Sequence, residues 1–436
     1  MATNYIRAVR EYYLRSATLQ KATRNFGWLL FDRVFRMGAS VIVSVWVARY
    51  LGPSQYGTIS YATAFATLFG TVALLNIDTI LVRELVASPA RTDALLGSAF
   101  FLKLSSAVLV LPIVTASASY LHVENRDLLY LVFLSGLGFV VQSTKVFGSY
   151  FESQVQSKVT VYAGTVALFF AACLRVALIL LKAPLVAFGC AALFETLIAS
   201  TLTILAYRRA RPSARWFRFD RKIAHALLRD GWPLVISGFA ITLYMRIDQV
   251  MLGQLLGEHE VGVYSAALRL SEVWYFVPVA VVATVFPSIV SSQKLNEDVY
   301  RRRIGHLFAL MVWPAVAMAL AFSVGSGWVI RLLYGESYAG AESILRIHIW
   351  TGIPVGLGVA YGAVLAAENA QVVTLWATGI AAVANVLLNW LLIPSQHGRG
   401  AALATLLSQC IVVLSTLLFK KSRRTGVAML RALVLR

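Results

Sequence analysis

The chain has 436 residues, of which 59% are hydrophobic and only 14% charged. Soluble globular chains carry about 25% charged residues, and no soluble core could hide this much apolar surface, so composition excludes an ordinary soluble protein of two or three domains. The formal charge of +19 would suggest nucleic acid in a soluble protein. Here the cations fall mostly in polar breaks between apolar runs, so they report membrane orientation and no nucleic-acid partner is expected.

Residues 1–25 are polar and basic, with Arg7, Arg10, Arg15, Lys21 and Arg24. They lack the apolar stretch and small-residue site of a cleavable signal, and are expected to form a cytoplasmic amphipathic segment lying on anionic membrane lipid. Six apolar runs follow, at 26–48, 57–82, 95–121, 128–150, 159–181 and 184–207. Each approaches the roughly 20 residues that span hydrocarbon as a helix. The segment 208–222, RRARPSARWFRFDRK, is the one long polar break. Beyond it lie runs at 223–256, 261–290, 305–330, 342–366, 371–393 and 400–419, and then a basic tail, 420–436. Open strands cannot exist in lipid, and the alternation of barrel strands is absent. The expected fold is therefore an all-α integral membrane protein of about twelve transmembrane helices.

With the N-terminus placed in the cytoplasm, 25 of the 39 Lys and Arg residues fall in inner segments, five in outer loops and nine within spans. That bias predicts both termini inside. Its weak point is the cation-free turn after Ala366. Cys173, Cys190 and Cys410 all lie within spans without metal spacing, and are read as small packing residues. No metal or cofactor is expected. There is no GxxxxGK[ST] loop, so energy for any transport would come from an ion gradient or from removal of product.

The basic break divides the runs six and six, and the halves are similar at an offset of 205. Leu51-Gly52-Pro53-Ser54-Gln55-Tyr56-Gly57 with Ser60 matches Leu256-Gly257-Glu258-His259-Glu260-Val261-Gly262 with Ser265. Glycine suits such hairpins because it takes positive φ freely. Six spans per half insert in the same orientation, and transporters built from parallel repeats bind substrate near the midplane between the halves. The expected domains are thus a first bundle at 26–207 and a second at 223–419, joined by the linker 208–222.

Nine cations and six anions lie within the spans, and a charge at bilayer centre costs roughly 2.5–3.5 kcal/mol on insertion scales. Most must face a wet cavity, pair, or sit near span ends. In the first span Asp32, Arg36, Ser40 and Ser44 recur every fourth residue, with Arg33 beside them. Thr242, Arg246 and Gln249 form a stripe on the seventh span, and Ser265, Arg269 and Glu272 on the eighth. Asp32 with Arg36, and Arg269 with Glu272, are also spaced for intrahelical ion pairs. Arg229 and Asp230 read as inner-surface residues, and Arg346 is placed equally well to snorkel outward. The candidate substrate-binding residues are Arg33, Arg36, Arg246, Arg269, Lys103, Lys145 and Arg175, the last three on spans of open facing. The net cationic interior suits a pyrophosphate, which Arg forks grip bidentately. Asp248, Asp32 and Glu195 are carboxylates that could bind a proton or Na⁺ as coupling ion, Asp248 foremost because it has no obvious partner on its own helix. Trp28, Trp46, Tyr61, Trp274, Tyr275 and Tyr361 could stack on sugars or mark the membrane interface. Pro233, Pro278, Pro287, Pro314 and Pro354 could kink the second-half helices.

The segment DRVFRMGASVIVSVWVARYLGPSQYGTISYATAF resembles the first hairpin of polysaccharide flippases of the multidrug/oligosaccharidyl-lipid/polysaccharide superfamily, which include the O-antigen flippases (Wzx type). NIDTILVRELV at 76–86, MRIDQVMLGQLLGEHEVGVYSAALRLSE at 245–272 and RLLYGESYAGAESILRI at 331–347 are similar to later pieces of the same family, in order. The resemblance implies two six-helix bundles around a central cavity, alternating access, and an undecaprenyl-diphosphate-linked oligosaccharide as substrate in a bacterial inner membrane. Polysaccharide polymerase machinery would be a downstream partner. A small-molecule or drug exporter of the same superfamily is the nearest alternative. A membrane saccharide polymerase or ligase is the alternative of another class, against which the short outer loops and unclustered histidines count.

Overall fold

The computed structural model describes residues 17–122, 125–212, 218–293, 297–368, 370–419 and 422–432. Among them the chain is helical with short turns and no strand. The helices are α1 (Ala17–Leu74), α2 (Asp78–Ala87), α3 (Thr92–Leu121), α4 (Arg126–Gln142), α5 (Val146–Ser153), α6 (Lys158–Leu180) and α7 (Leu185–Ala210). After the linker come α8 (Arg221–Leu256), α9 (Glu258–Glu272), α10 (Phe276–Gln293), α11 (Glu297–Tyr334), α12 (Ala341–His348), α13 (Gly352–Ala367), α14 (Gln371–Ser415) and α15 (Arg423–Arg431).

Ten stretches among the described residues are long and apolar enough to cross a membrane. Two of them, 52 and 44 residues long, far exceed the roughly 20 residues one crossing needs. The first is interrupted at Gly52 within α1 and again by the turn 75–77 before α2, and the second at His397 within α14. The segment 1–25 falls outside the described residues up to residue 16, and from Ala17 it continues as helix directly into the first span. Residues 213–217 of the linker and 420, 421 and 433–436 of the tail also lie outside them.

The prolines act less as hinges than their number suggests. Helices α8 and α11 run unbroken through Pro233 and Pro314. Pro278 and Pro354 stand in the first turns of α10 and α13, each just after a 3₁₀ turn (Val273–Tyr275 and Ile349–Thr351). The missing N–H costs nothing there, because first-turn amides have no intrahelical acceptor. The side chain of Pro287 lies outside the described residues. The packing role expected of the cysteines does not hold for Cys173 and Cys190, which are exposed on α6 and α7 as free thiols. A small apolar side chain is as acceptable on an apolar helix surface as inside it.

Contacts divide the chain into two compact units. The first comprises residues 1–40, 72–117 and 133–235, the second 41–71, 118–132 and 236–436. The division does not follow the linker at 208–222: the tip of the first hairpin, 41–71, and the turn at 118–132 pack with the second half of the chain. The first unit's core joins Ile77, Leu81 and Leu85 of α2 and its approach to Leu95, Leu96, Phe147, Phe151 and Tyr207. The second unit's core joins Phe308, Met311 and Val312 of α11 to Leu357, Tyr361 and Val364 of α13.

Within the second unit the repeated LG-x4-G hairpins meet each other. Gly52 has φ 72° and Gly257 φ 88°, the left-handed region that a side chain would make costly. Five residues further on, Gly57 and Gly262 press together. A Cβ on Gly57 would lie 1.7 Å from the Glu258 carbonyl oxygen, and one on Gly262 would lie 1.9 Å from that of Pro53. The contact is reciprocal, as expected where two copies of one motif pack about a local two-fold. The Ser54 Oγ and His259 Nδ1, equivalent positions of the repeat, lie 3.4 Å apart. Asn125 donates to Glu258 Oε1 at 2.9 Å, and Gln254 donates to the Tyr61 hydroxyl at 2.7 Å. His122 Nε2 lies 2.8 Å from that hydroxyl. Burial pushes the His122 imidazole below its usual range, against the opposing pull of Glu258. A third tip joins them: Gly335 has φ 88°, and the Tyr338 hydroxyl after it donates to the Ala48 carbonyl at 2.8 Å.

Substituting valine for Gly57 or Gly262 should therefore destabilise the protein by about 1–3 kcal/mol, since backbone has to move. Gly52→Ala, with open space but positive φ, should cost about 1 kcal/mol. Gly358→Ala, which meets nothing within 4 Å, should change stability by less than about 0.5 kcal/mol. Thermal unfolding of the purified protein in detergent checks the order, and equal midpoints for all four variants would contradict the contact.

Candidate functional site

The first unit holds a cavity of about 620 Å³ whose wall carries Arg36, Asp78, Lys145, Glu152 and Glu195, among hydroxyls such as Ser149, Thr160 and Thr203. Seven elements supply it: α1, α2, the end of α4, the turn before α5, and α5, α6 and α7. Arg36 lies against α6 at Gly164, where a Cβ would come within 2.3 Å of a guanidinium nitrogen. Glycine at that position is what lets the guanidinium approach the helix so closely. Lys145 sits in the 3₁₀ turn Ser143–Lys145 that separates α4 from α5, and donates to Gln142 Oε1 at 2.5 Å. That turn bends the chain so that Lys145 and, seven residues later, Glu152 reach the same cavity.

Two further cations stand behind the wall, each tied to a carboxylate on it. Lys103 of α3 is buried, 1% exposed, and pairs with Asp78 at 2.5 Å. Arg175 of α6 pairs with Glu195 of α7 at 2.8 Å. Desolvated charges are tolerated where a partner and hydrogen bonds compensate. The wall itself carries two cations, Arg36 and Lys145, and three carboxylates, Asp78, Glu152 and Glu195, two of which are held by Lys103 and Arg175 behind it.

The remaining candidate residues belong elsewhere. The side chains of Asp32, Arg33 and Trp28 lie outside the described residues. Arg246, Arg269 and Asp248 are in the second unit. There the stripes on α8 and α9 face each other: Gln249 donates to Ser265 at 2.9 Å, and Arg246 pairs with Glu272 at 3.4 Å. Glu272 is thus held across the helices by Arg246, whereas the spacing alone had offered Arg269 as its partner. Arg269 is exposed. Thr242, the third member of the α8 stripe, bonds to Thr71 at 3.0 Å.

Asp248 is 1% exposed and has partners from three directions. The Tyr264 hydroxyl donates to its Oδ2, the Gln249 amide to its Oδ1 at 2.8 Å, and the Thr405 hydroxyl to Oδ2 at 3.3 Å. One turn beyond Thr405, Ser408 accepts from Asn385 at 3.1 Å, and Asn389 donates to the side-chain Oδ1 of Asn385 at 3.1 Å. The Asn389 Oδ1 is buried with no partner among the described residues.

The sequence reading omitted Glu152 because it lies just past the end expected for the fourth span. It left Asp78 unassigned, and the polar pair Asn385 and Asn389 on α14 went unnoticed. Their i, i+4 spacing inside an apolar run was the signal that could have found them. Of the aromatics considered for sugar stacking, Tyr61 and Tyr361 are buried in packing, 0% and 2% exposed, and cannot meet a ligand face. Tyr275 is bonded to Thr351 at 2.7 Å, and Trp46 is exposed.

Comparison with known proteins places this geometry. The family described as polysaccharide biosynthesis protein matches residues 22–293, and the MatE family matches residues 233–391. A probable low-salt glycan biosynthesis flippase, Agl15 of Haloferax volcanii, is 27% identical over 221 residues, covering 50% of this chain and 46% of that protein. The succinoglycan biosynthesis transport protein ExoT of Rhizobium meliloti is 26% identical over 369 residues, 79% of this chain and 70% of that one. The chain thus spans under half the length of the first of these relatives. Among solved structures, the lipid II flippase MurJ superposes with a TM-score of 0.70 at 15% identity, covering 93% of this chain and 90% of MurJ. That likeness shows the fold, which with the ten apolar helices makes this a multi-pass membrane protein. The family match over residues 22–293 carries the identity: the chain belongs to the polysaccharide biosynthesis protein family, within the multidrug/oligosaccharidyl-lipid/polysaccharide superfamily.

Proposed function

We propose that this protein is a transporter, not an enzyme, and that it moves an undecaprenyl-diphosphate-linked oligosaccharide from the cytoplasmic to the periplasmic leaflet of a bacterial inner membrane by alternating access. The observation that carries the reading is the cavity around Arg36 and Lys145, in a chain whose relatives are named as a glycan biosynthesis flippase and a succinoglycan transport protein. A pyrophosphate needs charge-assisted donors, and the Arg36 guanidinium, seated against Gly164 on the cavity wall, is a donor of that kind. The carboxylates around it serve a second purpose. They offset the positive charge while the cavity is empty, so that ligand enters a partly neutralised site rather than a bare cluster of cations. Hydroxyls such as Thr160 and Thr203 would meet sugar hydroxyls. Arg33, Arg246 and Arg269 are retained in this proposal as further contacts of the head group. The two six-helix bundles at 26–207 and 223–419, with cytoplasmic termini, are part of the same proposal.

The MatE match at residues 233–391 favours a second reading, export of a small molecule. A binding site for cationic drugs needs carboxylates open to the ligand, whereas here Asp78 and Glu195 are already held by Lys103 and Arg175 behind the wall, which supports the anionic substrate instead.

For coupling, Asp248 is the proposed centre, with Glu195 and Asp32 as the other candidates. Asp248, Thr405 and the unpartnered Asn389 carbonyl are oxygen donors of the kind that hold Na⁺, and a carboxylate so placed could equally take a proton. Occupancy that differs between two conformations is sufficient to couple the gradient to transport.

Three outcomes follow. In proteoliposomes loaded with a lipid-linked oligosaccharide, Arg36→Ala and Lys145→Ala should each lower translocation about ten- to hundredfold, the worth of one charge-assisted contact. Arg36→Lys should recover part of the Arg36→Ala loss, and unaltered rates in both alanine variants would overturn the site. Asp248→Asn, nearly isosteric, should leave the amount of folded protein unchanged and make the rate indifferent to proton and sodium gradients. A wild-type rate already indifferent to both would end the coupling proposal. Topology reporters after Ser213 and Ser422 should read cytoplasm and one near His259 the periplasm, and a periplasmic signal at Ser213 would contradict the orientation.

A further inference from the structure

A second recess in the first unit, of about 340 Å³, lies apart from the charged cavity and shares no lining residue with it. It opens between α2 with the start of α3 on one side and the first turns of α8 on the other. Two clamps hold these elements together and leave the space between them. At one end Gly231 of α8 rides on Ile77, where a Cβ would come within 2.6 Å of the side chain. At the other the Ser98 hydroxyl bonds the Asp220 backbone, accepting from its N–H at 2.9 Å.

The floor of the recess is apolar. Ile80, Leu95 and Leu227 line it, each under 7% exposed. Its rim is charged, with Glu84, Arg91, Lys222, Arg229 and Asp230. The two carboxylates are already engaged: Arg83 holds Glu84 at 2.9 Å and Asp230 at 3.3 Å, and Arg229 lies 3.4 Å from Asp230. Arg91 and Lys222 are exposed, and neither forms a side-chain ion pair among the described residues. The recess also sits at the ends of two membrane spans, which stop at Ala87 and start at Arg221. That is the depth at which lipid head groups lie.

An apolar floor with two uncommitted cations at head-group depth is a site for an anionic amphiphile. We propose that this recess binds an anionic phospholipid, its phosphate between Arg91 and Lys222 and the upper part of an acyl chain on Ile80, Leu95 and Leu227. Just before α8 stands Asp220, whose side chain accepts the amides of Lys222 and Ile223 at 2.8 and 3.3 Å. A bound lipid would therefore brace the start of α8 against α2 and tie the stability of the first unit to membrane composition. The choice of phospholipid over free phosphate rests on the floor, since an inorganic anion would gain nothing from apolar walls.

The test uses the full-length protein in detergent, with native mass spectrometry and thermal unfolding read against added phosphatidylglycerol, phosphatidylcholine or inorganic phosphate. Phosphatidylglycerol should form a retained adduct and raise the unfolding midpoint, while phosphatidylcholine and phosphate should do neither. Arg91→Ala with Lys222→Ala should weaken phosphatidylglycerol binding about thirtyfold, the expected loss for two basic contacts. Ala226→Trp, at an exposed position lining the recess, keeps every charge but fills the space. It should weaken binding to a similar degree, whereas a merely electrostatic attraction would survive it. Equal retention of phosphatidylcholine, stabilisation by phosphate alone, displacement of the adduct only by a lipid-linked saccharide, or undiminished binding in either variant would overturn the proposal. Because Arg91, Lys222 and Ala226 lie outside the charged cavity, translocation by these variants in proteoliposomes of fixed composition separates this site from the transport proposal.

Discussion

An ionised side chain placed in hydrocarbon costs several kilocalories per mole unless it is paired, hydrogen-bonded or wet, and the internal arrangement of this protein follows from that constraint. The buried Lys103 is held by Asp78, and Arg175 by Glu195. Arg246 is held by Glu272, and the buried Asp248 accepts bonds from a tyrosine, a threonine and a backbone amide. Each pair joins different helices, so compensating a charge also fixes which helices are neighbours. Arg346 with Glu342 at 2.6 Å and Arg301 with Glu297 at 2.5 Å are paired within one turn of a helix and have no such consequence.

Backbone contact supplies what charge does not. Removing the side chain at Gly57 and Gly262 lets two hairpin tips of the same motif approach through their peptide groups. Contacts of that closeness exclude intervening side chains and are stiff, because neither partner has a rotamer to change. The positive φ of Gly52, Gly257 and Gly335 turns the chain sharply enough to present those tips. Duplication explains why the contact is reciprocal: one sequence motif used twice meets itself about a local two-fold.

The charged cavity and the lipid-depth recess both lie in the first unit and illustrate two uses of the same residue types. In the cavity the cations stand opposite carboxylates among hydroxyls, an arrangement suited to reversible exchange of anionic partners. In the recess the carboxylates are neutralised by Arg83 and Arg229, leaving Arg91 and Lys222 above an apolar floor. On the proposed function the first would take a polar, pyrophosphate-bearing ligand that must leave again. The second favours an amphiphile that stays.

The amino-acid sequence by itself determined the membrane class, the helical fold, the family and the repeated hairpins with their glycines. All of these rest on local features: run length, composition, and residues that alone tolerate positive φ. It also marked Arg36, Lys103, Lys145 and Arg175 as charges needing compensation, because the cost of burying a charge depends on depth and not on partner. Only the tertiary structure decided the partners. Asp78 and Lys103 are 25 residues apart, Arg246 and Glu272 are 26, and Asp248 and Thr405 are 157, and no periodicity connects such pairs. It likewise decided that the tip at 41–71 packs with the second half of the chain, and that Tyr61 and Tyr361 are core rather than ligand surface. Which face of an apolar helix meets protein and which meets lipid is set by neighbouring helices, and both faces read alike in the sequence because lipid is as apolar as a core.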